Sequence, residues 1–415
     1  MQKWNRHMNL HQNKKLVPAA ESIPVPEDCQ DWKQGVKKLH PDPEPYKRSD
    51  IEPRKRSVSK PQRRNSKPHV KPDIIGRNYA AIDLGTNSCR LVIASPTPSS
   101  FRIVETFSKV TRLGEGIIND NELSRPAIRR TVSALKVCAG VLEEYAPIYR
   151  YRFVATAACR RAKNCADFIS AVEKETGLNI EIISSKEEAR LAVVGCIPLL
   201  NRHIKRALIF DIGGGSTEIS LARVTNSGKT FIEGFVSLPY GVVTVSEAFP
   251  GSDMTDLAYD TIVERTQDIL KDFEERFHIT EAIRRQEIQI IGTSGTVTVL
   301  GAVHLNLSRY NRSAVDGLSI SMNDLERTIL KIKRMGAEGR SKHPCIGSQK
   351  SDLTMAGCAI IESLIKFWPV SEITVADRGI REGILLDLMH SDEIPHHYKK
   401  HHKRRRLYER KPYHE

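Results

Sequence analysis

Two short segments combine an aspartate, glycine and small polar side chains directly after an apolar stretch. The first is Asp83-Leu-Gly-Thr-Asn-Ser88 and the second is Asp211-Ile-Gly-Gly-Gly-Ser-Thr-Glu218. Glycine lets the backbone turn tightly, and amide N–H groups that converge in such a turn bind phosphate oxygens. The recurrence of this pattern about 130 residues later predicts two related α/β domains that face each other. The structural alternative is an ordinary polar turn for the first segment and a plain hairpin with a glycine bulge for the second.

The polar groups of the two turns are suited to hold a phosphorylated substrate. Those we expect to contact phosphate are Thr86, Asn87, Ser88, Gly213, Gly214, Gly215 and Ser216. Asp211 and Glu218 place negative charge beside this anion site, which would be repulsive without a cation between them. Mg²⁺ binds carboxylates and bridges phosphates, so we expect Mg²⁺, with Mn²⁺ as the alternative ion, at Asp83, Asp211 and Glu218.

The hydrophobic periodicity predicts the elements that position these turns. Strands are expected at 79–82, 91–94, 101–104, 151–155, 180–183 and 207–210, each short and apolar. Helices are expected at 124–145, 166–176, 255–277, 297–305, 322–335, 352–367 and 380–390, with a further helix that opens at Ser184. This alternation is typical of an α/β fold.

The positive charge of the chain lies mainly in its two ends. The formal net charge is +14, of which residues 1–77 carry +9 and residues 392–415 carry +4. Both segments are poor in large apolar residues, so we expect them to be disordered. They are suited to non-specific contact with polyanions, and solvated tails without a partner are the alternative.

No apolar run approaches the ~20 residues that cross a bilayer, and the N-terminus lacks the apolar segment of a secretory signal. The eight cysteines form no Cys-x-x-Cys pair, so reduced thiols in a cytoplasmic protein without a membrane partner are expected.

Six motifs in order along 78–390 resemble the exopolyphosphatase / guanosine pentaphosphate phosphohydrolase family, which lies within the actin-like ATPase superfamily. They are Ala81-Ile-Asp-Leu-Gly-Thr-Asn-Ser88, Ala155-Thr-Ala-Ala-Cys-Arg160, Ile180-Glu-Ile-Ile-Ser-Ser-Lys-Glu-Glu-Ala-Arg190, Asp211-Ile-Gly-Gly-Gly-Ser-Thr-Glu218, Gly292-Thr-Ser-Gly-Thr296 and Asp377-Arg-Gly-Ile-Arg-Glu-Gly383. The resemblance covers about three quarters of the chain.

The resemblance implies roles that the residue types alone do not. Glu188 would be the catalytic base that deprotonates water, whereas on sequence grounds alone it could simply complement a helix dipole. Arg160 would line the phosphate channel, where a guanidinium can bind phosphate bidentately. Arg90, just after the first turn, is a further phosphate-binding candidate. Lys350 and Thr244 stand where relatives often have arginine, so the cleft would carry less positive charge.

The implied architecture has two actin-like (ribonuclease H-like) domains on either side of a cleft. Domain I would span 78–185 and domain II 186–378. The helix 379–391 would pack back on domain I, and the tails 1–77 and 392–415 would lie outside both. A homodimer is also expected.

The implied activity is hydrolysis of the terminal phosphoanhydride bond of inorganic polyphosphate. Removal of the 5′ γ-phosphate of guanosine pentaphosphate is an alternative that the loops do not distinguish. A kinase or ATPase of the same superfamily, and a non-catalytic protein that binds polyphosphate or nucleic acid, remain as further alternatives.

Overall fold

The computed structural model describes residues 76–393 except 99, 202, 226–229 and 250–254, and leaves out the side chains of 256, 257, 392 and 393. The described residues all belong to one compact unit. Apart from 76, 77, 392 and 393, the two predicted tails lie outside the described residues, as does Cys29.

The first sheet has five strands: β1 (Asn78–Leu84), β2 (Ser88–Pro96), β3 (Phe101–Val110), β4 (Ile148–Ala155) and β5 (Glu181–Ile182). Their order is β3-β2-β1-β4-β5. Strand β1 pairs antiparallel with β2 and parallel with β4. The strand predicted at 180–183 is therefore shorter than expected, because only two of its residues pair with the end of β4.

The second sheet repeats this plan. Its strands are β6 (Arg206–Ile212), β7 (Thr217–Val224), β8 (Thr230–Leu238), β9 (Ile288–Thr293), β10 (Ser319–Ser321) and β11 (Glu372–Ala376). Their order is β10-β11-β9-β6-β7-β8. Strand β6 pairs antiparallel with β7 and parallel with β9, just as β1 pairs with β2 and β4.

Helices cover both sheets. They are α1 (Ile117–Asp120), α2 (Arg125–Glu144), α3 (Ala157–Arg161), α4 (Cys165–Thr176), α5 (Ser185–Cys196), α6 (Val242–Ala248), α7 (Asp256–Phe277), α8 (Ile279–Arg284), α9 (Gly295–His304), α10 (Arg312–Val315), α11 (Met322–Arg334), α12 (Gly336–Lys342), α13 (Ser351–Phe367) and α14 (Ile380–Glu393). A 3₁₀ turn, Ile197–Leu199, follows α5. The predicted long helices are all present, with ends within three residues of expectation.

Local signals explain why these helices begin where they do. The Ser124 hydroxyl accepts the N–H of Ala127 and caps α2, which places Pro126 in its first turn. From there Val132, Leu135 and Leu142 return to one face and are buried against the first sheet. Capping and a 3.6-residue apolar repeat are sufficient to define such a helix.

Helices α5 and α14 lie between the two sheets. One buried cluster joins Leu191 of α5 and Ile384 of α14 to strands of the first sheet, and another joins Val193 of α5 to the second sheet. The two helices cross at glycines. A Cβ on Gly195 would lie 2.2 Å from the carbonyl oxygen of Gly379, and one on Gly383 would lie 2.0 Å from that of Leu191. Only glycine permits this approach.

We call the first sheet with α1–α4 the first lobe, and the second sheet with α6–α13 the second lobe. Polar contacts join the lobes. Arg112 Nη2 lies 3.0 Å from Asp352 Oδ2, and the N–H of Gly116 donates to Glu247 Oε1 over 2.9 Å. The predicted α/β class, with two similarly built sheets that face each other, is confirmed.

The seven cysteines in the described part of the chain are free and buried. None of the helices in residues 76–393 that the structure describes is both long and apolar enough to cross a membrane.

Candidate active site

The two glycine turns have the same construction. In the β1–β2 turn the N–H of Gly85 donates to the carbonyl of Ser88 over 3.0 Å, and in the β6–β7 turn the N–H of Gly213 donates to the carbonyl of Ser216 over 2.9 Å. Asp83 stands opposite Arg90 in the first hairpin, whereas Asp211 stands opposite Glu218 in the second. The duplication seen in the sequence is therefore structural, with a basic residue in one turn where the other has an acid.

The second turn directs amide groups away from α6. The carbonyls of Gly213 and Gly214 accept the N–H groups of Val242 and Val243 over 3.0 and 2.8 Å. A trans peptide points its N–H opposite to its C=O, so the N–H groups of Gly214 and Gly215 point away from α6. This leaves them available to an anion.

The two turns meet face to face. A Cβ on Gly214 would lie 2.9 Å from Cβ of Thr86, and a Cβ on Gly215 would lie 2.7 Å from Oγ1 of Thr86 and 3.2 Å from Cβ of Ala157. Glycines are required here because the first lobe leaves no space for a side chain. Thr86, Gly215 and Ser216 are buried, whereas the neighbouring Asn87 and Ser88 are partly exposed.

Glu188 reaches this junction from the first turn of α5. The Ser184 hydroxyl accepts the N–H of Glu187 over 3.2 Å and fixes the start of the helix. The side chain of Glu188 is buried, and Oε2 accepts a hydrogen bond from Arg160 Nη1 at 2.6 Å. Arg160 also donates to the carbonyl of Ile183 at 3.1 Å, and its Nη2 lies 3.8 Å from Oε1 of Glu218. One guanidinium thus links the two lobes through two carboxylates.

Four carboxylates lie at the junction of the two turns and influence one another electrostatically. They are Asp83, Glu188, Asp211 and Glu218. Burial, with Glu188 and Asp83 nearby, raises the pKa of Asp211 to about 7. Burial and then Glu188 hold the pKa of Glu218 well above its ordinary value. Burial also raises the pKa values of Asp83 and Glu188, although an arginine opposes each rise. Carboxyl groups that resist ionisation in this way are typical of active sites.

Several oxygen atoms at the junction are buried without a hydrogen-bond partner among the described residues. They are Asp83 Oδ1, Thr86 Oγ1, Asn87 Oδ1 and Glu218 Oε2. A buried carboxylate oxygen without a donor is costly unless a cation faces it. In the described part of the chain no three Asp, Glu, His or Cys side chains are arranged to ligate one ion directly. The residues therefore fit an ion held by one or two carboxylates, by water and by substrate phosphate, which is how Mg²⁺ commonly binds.

Arg90, a predicted phosphate-binding residue, lies close to the start of α9 and to Lys350. A Cβ on Gly295, at the start of α9, would lie 3.9 Å from Arg90 Nη2. Lys350 precedes α13, and burial together with Arg90 lowers its pKa. The Ser216 hydroxyl is not free, because it donates to Glu218 Oε1 over 2.7 Å. Thr244 lies in the first turn of α6, and its hydroxyl caps that helix by bonds to Gly241.

Two residues near the junction were missed by the sequence analysis. Arg381 is close enough to Asp83 to oppose the rise of the Asp83 pKa. It lies in the quoted Asp377–Gly383 motif, which could have suggested it. Ser237 donates to Glu218 Oε1 over 3.1 Å. No motif contains it, and only the register between β7 and β8 brings it there.

Comparison with known proteins assigns the chain to a family. Residues 92–392 match the model of the Ppx/GppA phosphatase family. The chain belongs to the Ppx/GppA phosphatase family. A Ppx/GppA crystal structure from Aquifex aeolicus is 26% identical and covers 77% of this chain and 99% of its own, with a TM-score of 0.62.

Two further solved structures are similar to this chain. An exopolyphosphatase-like protein is 28% identical and covers 76% of this chain and 99% of its own, with a TM-score of 0.67. An exopolyphosphatase from Cytophaga hutchinsonii, 21% identical with a TM-score of 0.68, covers 76% of this chain and 98% of its own and shares the fold. The resemblance inferred from the motifs is confirmed. The Ppx/GppA match includes the second glycine turn, whereas the first turn, Asp83–Ser88, precedes the matched residues.

Proposed function

We propose that this phosphatase is an exopolyphosphatase, which hydrolyses the terminal phosphoanhydride bond of inorganic polyphosphate and releases orthophosphate. The observation that carries the proposal is the position of Glu188, which lies beside Arg160 at the meeting point of two phosphate-binding turns. A water molecule activated there would attack a phosphoryl group held by the turns. The basic sequences 1–77 and 392–415 favour a long polyanion, and a relative at 28% identity is described as exopolyphosphatase-like.

The chain's own residues would perform three tasks. Amides of Gly214 and Gly215, with the side chains of Thr86, Asn87, Ser88 and Arg160, would hold and orient the terminal phosphoryl group. Arg90 would neutralise charge on the neighbouring phosphate. Phosphoryl transfer depends chiefly on such positioning and charge neutralisation.

Glu188 would accept the proton of the attacking water. Its carboxylate is buried and has a raised pKa, which makes it a stronger base than an exposed glutamate. Mg²⁺ or Mn²⁺, held by Asp83, Asp211 and Glu218 partly through water, would neutralise charge on the phosphate oxygens.

Phosphate release from three substrates tests the proposal. Purified protein is incubated with long-chain polyphosphate, tripolyphosphate or guanosine pentaphosphate, with and without Mg²⁺. Fastest release from long-chain polyphosphate, dependent on Mg²⁺ and lost in Glu188→Gln, is the expected result. Faster release from guanosine pentaphosphate would reassign the substrate. Phosphate transfer from ATP to an acceptor, or polyphosphate binding without any release, would overturn the proposed reaction.

A further inference from the structure

Three side chains form a row across the second sheet. Asp211 on β6 is opposite Glu218 on β7, which is in turn opposite Ser237 on β8. Directly opposite residues of antiparallel strands project from the same face and lie within contact distance. Ser237 is therefore a neighbour of the Glu218 carboxylate through strand register, although it is partly exposed and belongs to none of the quoted motifs.

The hydrogen bonds to Glu218 are distributed unequally between its two oxygens. Oε1 accepts the hydroxyls of Ser216 and Ser237 over 2.7 and 3.1 Å, and Arg160 Nη2 lies 3.8 Å from the same atom. Oε2 is buried and has no hydrogen-bond partner among the residues that the structure describes. The side chain of Glu218 as a whole is 2% exposed, so bulk water does not supply Oε2 with hydrogen bonds.

This asymmetry fixes which oxygen meets a cation. Two hydroxyl donors on one oxygen restrain rotation of the carboxylate and leave the other oxygen as the acceptor for a cation or a cation-bound water. Groups that orient a metal-binding carboxylate by hydrogen bonds commonly govern its affinity for the ion.

We propose that Ser237 is a positioning residue, which holds Oε1 of Glu218 so that Oε2 faces the divalent cation at the junction of the turns. The inference rests on the proposed function, because it assumes that a divalent cation is bound beside Glu218. It adds a residue from an adjacent strand to a site otherwise built from the two turns, α3 and α5.

Direct binding of Mn²⁺ without substrate tests the role of the hydroxyl. Free Mn²⁺ is measured by electron paramagnetic resonance in titrations of wild-type protein, Ser237→Ala, Ser237→Thr and Ser237→Val. Thr and Val have nearly the same shape, so this pair isolates the hydroxyl. We expect the Ala and Val variants to bind Mn²⁺ about tenfold more weakly, and the Thr variant to bind like the wild type.

Ser220→Ala is the matched control. Ser220 lies on β7 two residues from Glu218, on the same face, is buried, and is opposite Phe235. The Ser220→Ala variant should bind Mn²⁺ as tightly as the wild type. Thermal unfolding of each variant without metal shows whether a loss of affinity is accompanied by a general loss of stability.

The outcomes separate this inference from the proposed function. Wild-type affinity in Ser237→Val, or equal losses in Ser237→Val and Ser220→Ala, overturns the role of Ser237 while polyphosphate hydrolysis by the wild type still stands. A lower unfolding temperature in Ser237→Val with unchanged Mn²⁺ affinity shows a structural role and also overturns it. Wild-type protein that binds no Mn²⁺ and releases no phosphate overturns both proposals.

Discussion

Arg160 donates to Glu188 over 2.6 Å, and Glu188 belongs to a helix that lies between the two lobes. The same guanidinium lies 3.8 Å from Glu218 in the second lobe. The proposed base and a proposed cation ligand therefore share one positive charge. The proposed base, the Arg160 guanidinium and a proposed cation ligand thus lie at one point, and the expected effects of substitution follow from this arrangement.

Replacement of Glu188 by glutamine should lower the rate of phosphate release at least about 100-fold. Glutamine keeps the size of the side chain and can still contact Arg160, but it cannot accept a proton from water. The effect should fall on kcat rather than on KM, because the phosphate-binding turns are unchanged. Steady-state kinetics with long-chain polyphosphate measures both constants.

Glu187→Gln is the matched control for this variant. Glu187 faces the other way and pairs with Arg152 and Arg190, each over 2.7 Å, so we expect a small loss of stability and nearly unchanged turnover. A Glu188→Gln enzyme as active as Glu187→Gln would exclude Glu188 as the base.

Replacement of Arg160 by glutamine should move the acidic limb of the pH–rate profile to higher pH. Burial raises the pKa of Glu188 and Arg160 opposes that rise, so the pKa increases further once the guanidinium is removed. The base then loses its proton only at higher pH. The profile of kcat/KM against pH reports this value for the free enzyme.

Arg160→Lys separates charge from shape in the same measurement. Lysine retains a positive charge but not the planar fork. The acidic limb should therefore shift less than in Arg160→Gln, whereas KM should rise because lysine cannot bind phosphate bidentately. An acidic limb at the same pH in wild type and Arg160→Gln would show that Arg160 does not control the proposed base.

Alanine at Gly214 should reduce activity strongly, because its Cβ would meet Thr86 of the other lobe at 2.9 Å. Either the turn shifts or the lobes separate, and both changes misplace the phosphate-binding amides.

Turnover and the unfolding temperature of Gly214→Ala are compared with those of Gly140→Ala in α2. No atom lies within 4 Å of a Cβ at Gly140, so that change should stabilise the protein by about 0.5–1 kcal/mol. Equal activity of the two variants would contradict the close apposition of the turns.

Local patterns in the sequence were sufficient for much of the fold. The cap at Ser124 and the apolar repeat after it gave α2 nearly to the residue, and the two Asp-Gly turns indicated the duplicated hairpins. In both cases the determining interactions lie within a few neighbouring residues.

Features that depend on strand register or on contacts between lobes could not be predicted from local sequence patterns. Ser237 reaches Glu218 only because β7 and β8 pair in one register. The capping role of Thr244, which is buried in α6 and bonds to Gly241, was also not predicted. The contact of Thr86 with Gly214 joins residues from different lobes, and no spacing in the sequence encodes that distance.

Without divalent cations, the buried carboxyl groups of the junction should contribute less stability to the fold as the pH rises from about 4 to 7. The pKa of Asp211 is about 7 in the folded protein, against an ordinary value of 3.8. In that window the folded protein holds a proton that the unfolded chain has lost, so the stabilisation present below pH 3.8 is lost as the pH rises through 7. Burial raises the pKa values of Asp83, Glu188 and Glu218 in the same direction.

Thermal unfolding across this pH range, with and without Mg²⁺, measures the effect. Asp211→Asn should flatten the curve in metal-free buffer, whereas Asp268→Asn, at an exposed pair with Lys271, should leave it unchanged. Mg²⁺ should raise the unfolding temperature of the wild type at pH 8, where the carboxylates are ionised, and should do so much less at pH 5, where protons compete for the same oxygens. The same pH dependence in wild type and Asp211→Asn without metal, or a Mg²⁺ effect that is larger at pH 5, would contradict a buried acidic cluster that requires a cation.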